Sequence, residues 1–132
     1  MRDGAAFGRA FLDAHQCTRE PRYLARGEVV ATTLLVQFRD SQSGALVNAS
    51  RDSLVRRAFW PEQPLEDVAG PSPTATTISL LLDLSRRTGQ APYRQAGADA
   101  LRCAALAAAE DSLAAAGYYL ALANWLPSTP FN

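Results

Sequence analysis

Five carboxylates fall between Arg39 and Pro71: Asp40, Asp52, Glu62, Glu66 and Asp67. Glycoside hydrolysis needs two carboxyl groups about 5–10 Å apart, one as the acid and one as nucleophile or base. Glu66 and Asp67 are neighbours, so on an extended backbone they point to opposite sides and cannot form that pair. Glu62 with Asp67 is the combination that remains, and these two are the candidate catalytic residues. Asp67 has a competing role. A carboxylate just ahead of Gly70-Pro71-Ser72-Pro73 is placed to accept backbone N–H bonds at a turn and helix start. Arg56, Arg57, Phe59 and Trp60 cluster in the same stretch. An indole face stacks on sugars, and a guanidinium binds carboxylates or hydroxyls. Trp60 and Arg57, with Ser72 further along, are therefore candidate ligand contacts. The plainer reading of the cluster is a lid packed on helices.

Other chemistry is thinly represented. Proton transfer on both faces of a carbon needs two groups of suitable pKa, and His15 is the one histidine in the chain. Cys17 and Cys103 lie far apart and fit no metal or redox spacing. They read as two free thiols in a reducing cytoplasm, and no cofactor or metal is expected. Acidic and basic residues balance at 13 each, which argues against nucleic acid as the main partner. All the basic residues are Arg, a bias that goes with frequent Ala and is read as coding bias before chemistry. No apolar run reaches the length that spans a membrane. Arg9 and Asp13 interrupt the first apolar stretch, so it does not read as a signal peptide.

The elements that must position these residues are helical. In the first, about residues 4–16, Phe7, Ala10, Phe11 and Ala14 form a stripe. Pro21 suits the first turn of a second helix running to Phe38, with Tyr23, Gly27, Val30, Leu34 and Phe38 at helical spacing. The short connection predicts an antiparallel hairpin. Residues 39–71 are irregular: Asp40 to Gly44 is turn chemistry, 45–47 suits a short strand, and prolines break the rest. A connection of this length is far above the usual and tends to be functional. Ser72 is then the predicted N-cap and Pro73 the first residue of a third helix to about Thr88. A fourth covers about 93–109 and a fifth 112–126, capped by Ser112 and ended by Pro127. Ile78, Leu80, Leu81, Leu82 and Leu84 cover more than one face, so the third helix is expected to be buried nearly all round; the last helix too is apolar on several faces.

A shift of 70 residues aligns two segments without a gap: Phe11-Leu12-Asp13 with Leu81-Leu82-Asp83, Thr18 with Thr88, Tyr23 with Tyr93, Gly27 with Gly97. Two copies of one α-hairpin joined by a long connection predict an all-α array rather than a closed bundle. The expected layout is one domain, with hairpin one at about 4–38, the connection at 39–71, hairpin two at about 72–109, and a last helix.

The turn Thr88-Gly89-Gln90-Ala91-Pro92-Tyr93 and the entry Asp67-Val68-Ala69-Gly70-Pro71-Ser72-Pro73 resemble a known family. They are similar to the C-terminal part of the thioredoxin-domain-containing, spermatogenesis-associated thioredoxin-like proteins. That part is an (α/α) six-hairpin toroid related to acylglucosamine epimerases and six-hairpin glycosidases. The resemblance covers about residues 20–126. It departs at Thr74, where the family has Asn, and at Gly44-Ala45-Leu46, where it has a Gly-Gly-Phe-like turn; no Cys-x-x-Cys is present. The resemblance implies a partial toroid, a fragment or subunit of a carbohydrate-enzyme-like protein without independent catalysis. It implies that short turns such as that at Thr18, beside His15, lie opposite the substrate face. Alternatives are a sugar- or glycoside-processing enzyme using carboxylates of the connection, with a possible carbohydrate ligand, and a helical module that oligomerises through apolar inner helices. Self-association or a protein partner completing the toroid is expected, through Leu80, Leu84, Leu122 and Trp125 among others.

Overall fold

The computed structural model describes residues 1–50, 65–67 and 70–126. The protein is all-α. Five helices are described: α1 (Arg2–Thr18), α2 (Pro21–Phe38), α3 (Pro73–Thr88), α4 (Ala91–Glu110) and α5 (Ala116–Trp125). α1 pairs with α2 and α3 with α4 as two hairpins. α1, α3 and α5 pack side by side in one layer, with α3 in the middle and in contact with all the others.

The two hairpin turns are built alike. α1 and α3 end on Thr18 and Thr88, and the next residues, Arg19 and Gly89, are left-handed with φ of 60° and 71°. Each of these donates its backbone N–H four residues back, to the carbonyls of His15 and Ser85. The hydroxyl of Thr18 donates to the Ala14 carbonyl and accepts from the Glu20 amide. Thr88 does the same with Leu84 and Gln90. α2 and α4 then start two residues past the cap, with Pro21 and Pro92 in their first turns. The close approach within each hairpin also repeats. A side chain on Gly27 would touch Leu12 Cδ2 at 3.0 Å, and one on Gly97 would touch Leu82 Cδ2 at 3.4 Å. Each of these pairs is 70 residues from its counterpart, so the sequence shift is a repeat in three dimensions.

α3 is buried nearly all round, with Ile78, Leu80, Leu81, Leu82 and Leu84 enclosed. Ser72 is its N-cap: the hydroxyl accepts from the Ala75 amide at 3.1 Å, and Pro73 opens the helix. Ser72→Ala is expected to destabilise the fold by roughly 0.5–2 kcal/mol, read from urea unfolding, as loss of an N-cap does.

Several expectations are corrected. The α1 stripe of Phe7, Ala10, Phe11 and Ala14 is not its core face. Ala5, Gly8 and Leu12 are buried, while Phe7 is 63% exposed. Small residues won the interior because α1 lies close to both neighbours: a Cβ on Gly8 would overlap Leu80 Cδ2 and lie 3.3 Å from Val30. The last helix starts at Ala116, not at Ser112, because the Asp111 carboxylate accepts from the Ala114 amide and closes a turn there. Leu80 and Leu84 form no open surface; α1 and the rest of hairpin one cover them, and Leu122 and Trp125 are half-buried. The strand expected at 45–47 is a single bridge between Arg39 and Leu46.

Candidate functional site

Asp67 and Ser72 come together where α3 and α5 begin. The chain reaches this point through Leu65, which is buried in the core. The Asp67 amide donates to the Ala114 carbonyl at 2.7 Å. One carboxylate oxygen accepts from the Ser72 amide at 2.7 Å, the other from the Gly117 amide at 2.5 Å. Ser72 caps α3, and Gly117 is the second residue of α5. One carboxylate therefore clips two helix N-termini, where amide groups lack partners and the helix dipole favours negative charge. Gly117 makes the approach possible. A Cβ there would lie 2.8 Å from one Asp67 oxygen and 3.2 Å from Ala75 Cβ.

Both oxygens of Asp67 are engaged by backbone amides, which fits the turn-holding role and leaves little for acid–base work. Glu66, its neighbour, is exposed. Glu62, Arg57 and Trp60, with Arg56 and Phe59, lie outside the described residues. His15 is at the other end of the layer: its Nδ1 lies 3.3 Å from Arg87 Nη1, in the last turn of α3. From Ser72 to Arg87 α3 rises roughly 22 Å, so His15 and Asp67 cannot act on one substrate atom. Among the described residues no three His, Cys, Asp or Glu side chains gather as a metal site. Both cysteines are free.

Residues that the sequence reading passed over carry most of the remaining polar structure. Asp99 on α4 accepts from Arg39 at 2.8 Å and from Gln95 at 2.9 Å, and it pairs with Arg102. This ties the end of α2 to α4 across the start of the long connection. Burial pushes the Asp99 pKa up, but hydrogen bonds from Gln95 and Arg102 and the charges of Arg102 and Arg39 outweigh it. The net pKa lies below the ordinary aspartate value. A group whose folded pKa is depressed stabilises above its unfolded pKa, and this is lost as pH falls through the folded one. Asp99→Asn should therefore flatten the fall in stability in the acid range, below the ordinary aspartate pKa, measured by urea unfolding at stepped pH. Tyr118 and Tyr119 donate to the Leu101 and Ala108 carbonyls, each at 3.1 Å, and hold α5 on α4. Burial, then Tyr119, raises the Tyr118 pKa. Gly117 had a readable signal: it is a glycine inside an alanine-rich helix start, with no turn to explain it.

Fold and site together define a class, an array of α-hairpins with its inner helices in one layer. Family models, curated proteins and solved structures give no match to the chain. Among the described residues no helix is long and apolar enough to cross a membrane.

Proposed function

We propose that this chain is a non-catalytic unit of a six-hairpin-toroid, carbohydrate-enzyme-like architecture, working in the cytoplasm by joining further helical hairpins. The observation that carries the reading is the directional stacking of the inner helices. Ala5, Gly8 and Gln16 of α1 lie toward α3. Their counterparts 70 residues on, Ala75, Ile78 and Arg86, lie toward α5. A layer that advances by the same face at each step, with both end faces exposed among the described residues, is the pattern of stacked repeat proteins. The use of Asp67 as a structural clip argues in the same direction, because it removes one of the two carboxylates a glycosidase reading needs.

The test is a turnover assay of the purified chain on aryl glycosides and on N-acyl sugars. The expected result is no hydrolysis and no epimerisation. Turnover by the chain alone, lost in Glu62→Gln with the fold intact, would replace this reading with the enzyme one.

A further inference from the structure

The two ends of the inner layer are unlike, and each carries an exposed face with no neighbour among the described residues. α3 receives α1 on Leu80, Asp83 and Arg87: Leu80 lies against Gly8, Asp83 pairs with Arg9, and Arg87 reaches His15 and Gln16. The 70-residue counterparts of that receiving face on α1 are Ala10, Asp13 and Cys17, and all three are exposed. Phe7 stands beside them, 63% exposed. On α5, Gly117, Ala121 and Asn124 meet α3. The opposite side shows Tyr119, Leu120, Ala123 and Leu126, with Leu120 66% exposed. α5 has no charged residue.

The equivalent tyrosines report the same asymmetry. Tyr93 is buried in the cluster that joins the two hairpins, whereas Tyr23 is half-buried under Arg22. Among the described residues, hairpin two has a neighbour stacked on the face that holds Tyr93, and the matching face of hairpin one has none.

Resting on the array reading above, we infer that the far face of α5 in one copy of this chain seats on the receiving face of α1 in a second copy. The occupant is a second copy because the chain itself contains the mould. α1 is the repeat counterpart of α3, and α3 is seen receiving an inner helix on that face. The α5 side is uncharged and apolar, so burying it strands no ionised group of its own, and Asp13 on the α1 side keeps Arg9, four residues back, as its ion-pair partner. The α1 side offers Ala10 and Ala14, small enough for close helix approach, flanked by Phe7. Such a contact joins unlike surfaces, so it is heterologous and grows head to tail into rings or filaments.

The experiment is sedimentation of the full chain over micromolar to sub-millimolar concentration, with three single variants at exposed positions, each checked for helical circular dichroism. Phe7→Asp and Ala10→Arg spoil the α1 face; Leu120→Glu spoils the α5 face. The wild type should rise above its one-chain mass of 14.2 kDa with concentration. Each variant alone should remain at that mass. Mixing an α1-face variant with Leu120→Glu leaves one intact face on each partner, so the mixture should form a one-to-one dimer. A wild type that stays monomeric, variants that still associate alone, or a mixture that stays monomeric would each overturn the proposal. A monomeric wild type that is also inactive on sugars leaves the array reading standing, with other hairpins as the neighbour.

Discussion

Asp67→Ala is expected to lower the free energy of unfolding by about 2–5 kcal/mol. The variant removes two hydrogen bonds to a charged acceptor, each worth roughly 1.5–3 kcal/mol, and part of that is discounted because Asp67 is only half-buried. It also leaves the Ser72 and Gly117 amides without the acceptor they share. Asp67→Asn keeps one acceptor oxygen and should lie between. Gly117→Ala should imitate the loss from the other side, because its methyl would stand where the carboxylate sits. Residues that act through one contact are not additive. The Asp67→Ala, Gly117→Ala double variant should therefore lose little more than the worse single one, measured by urea unfolding. Additive losses would mean that the two residues stabilise α3 and α5 separately.

Leu80→Ala should cost about 3–5 kcal/mol, the range for emptying a fully buried leucine site. Leu80 is wholly enclosed by the chain's own helices, so the loss should appear in unfolding and not in association. Its partner at the crossing of α1 and α3 is Gly8. In the wild type Gly8→Ala should destabilise, by roughly 1–3 kcal/mol for overpacking, since its Cβ would overlap Leu80 Cδ2. In the Leu80→Ala background the same methyl enters the space vacated, and its effect should change sign. Equal effects in both backgrounds would mean that α1 shifts to absorb the methyl.

How much of this was legible in the sequence depended on whether the signal was local. The α3 start was readable because Ser72 and Pro73 act on their own turn. The hairpin turns were readable because threonine and a left-handed residue fix them within a few positions. The two-copy register was readable because equal spacing needs no knowledge of packing. For the core face of α1, apolar size is the wrong guide. At a close helix crossing the small residues Ala5 and Gly8 go inside, and Phe7 is left out. The burial of α3 nearly all round was legible, but not that α1 and the rest of hairpin one would cover Leu80 and Leu84, because which helix covers which is a property of the stacking. The partner of Asp67 was invisible for the same reason: Gly117 lies 50 residues away, and only the docking of α5 brings it near.

The paired hairpin turns hold one shape at unequal cost. Arg19 and Gly89 hold one backbone shape, yet a side chain in that shape costs about 1–2 kcal/mol and glycine does not pay it. The Arg19 turn is held in spite of that cost by the bonds around it, from the Arg19 amide to the His15 carbonyl and through the Thr18 hydroxyl. The two crossings from a hairpin to the next inner helix also differ in length. Residues 111–115 suffice to carry the chain from α4 to α5, while residues 39–72 make the same crossing from α2 to α3. Joining a hairpin to the next inner helix therefore takes only a few residues, and the length of 39–72 is not needed to make that step.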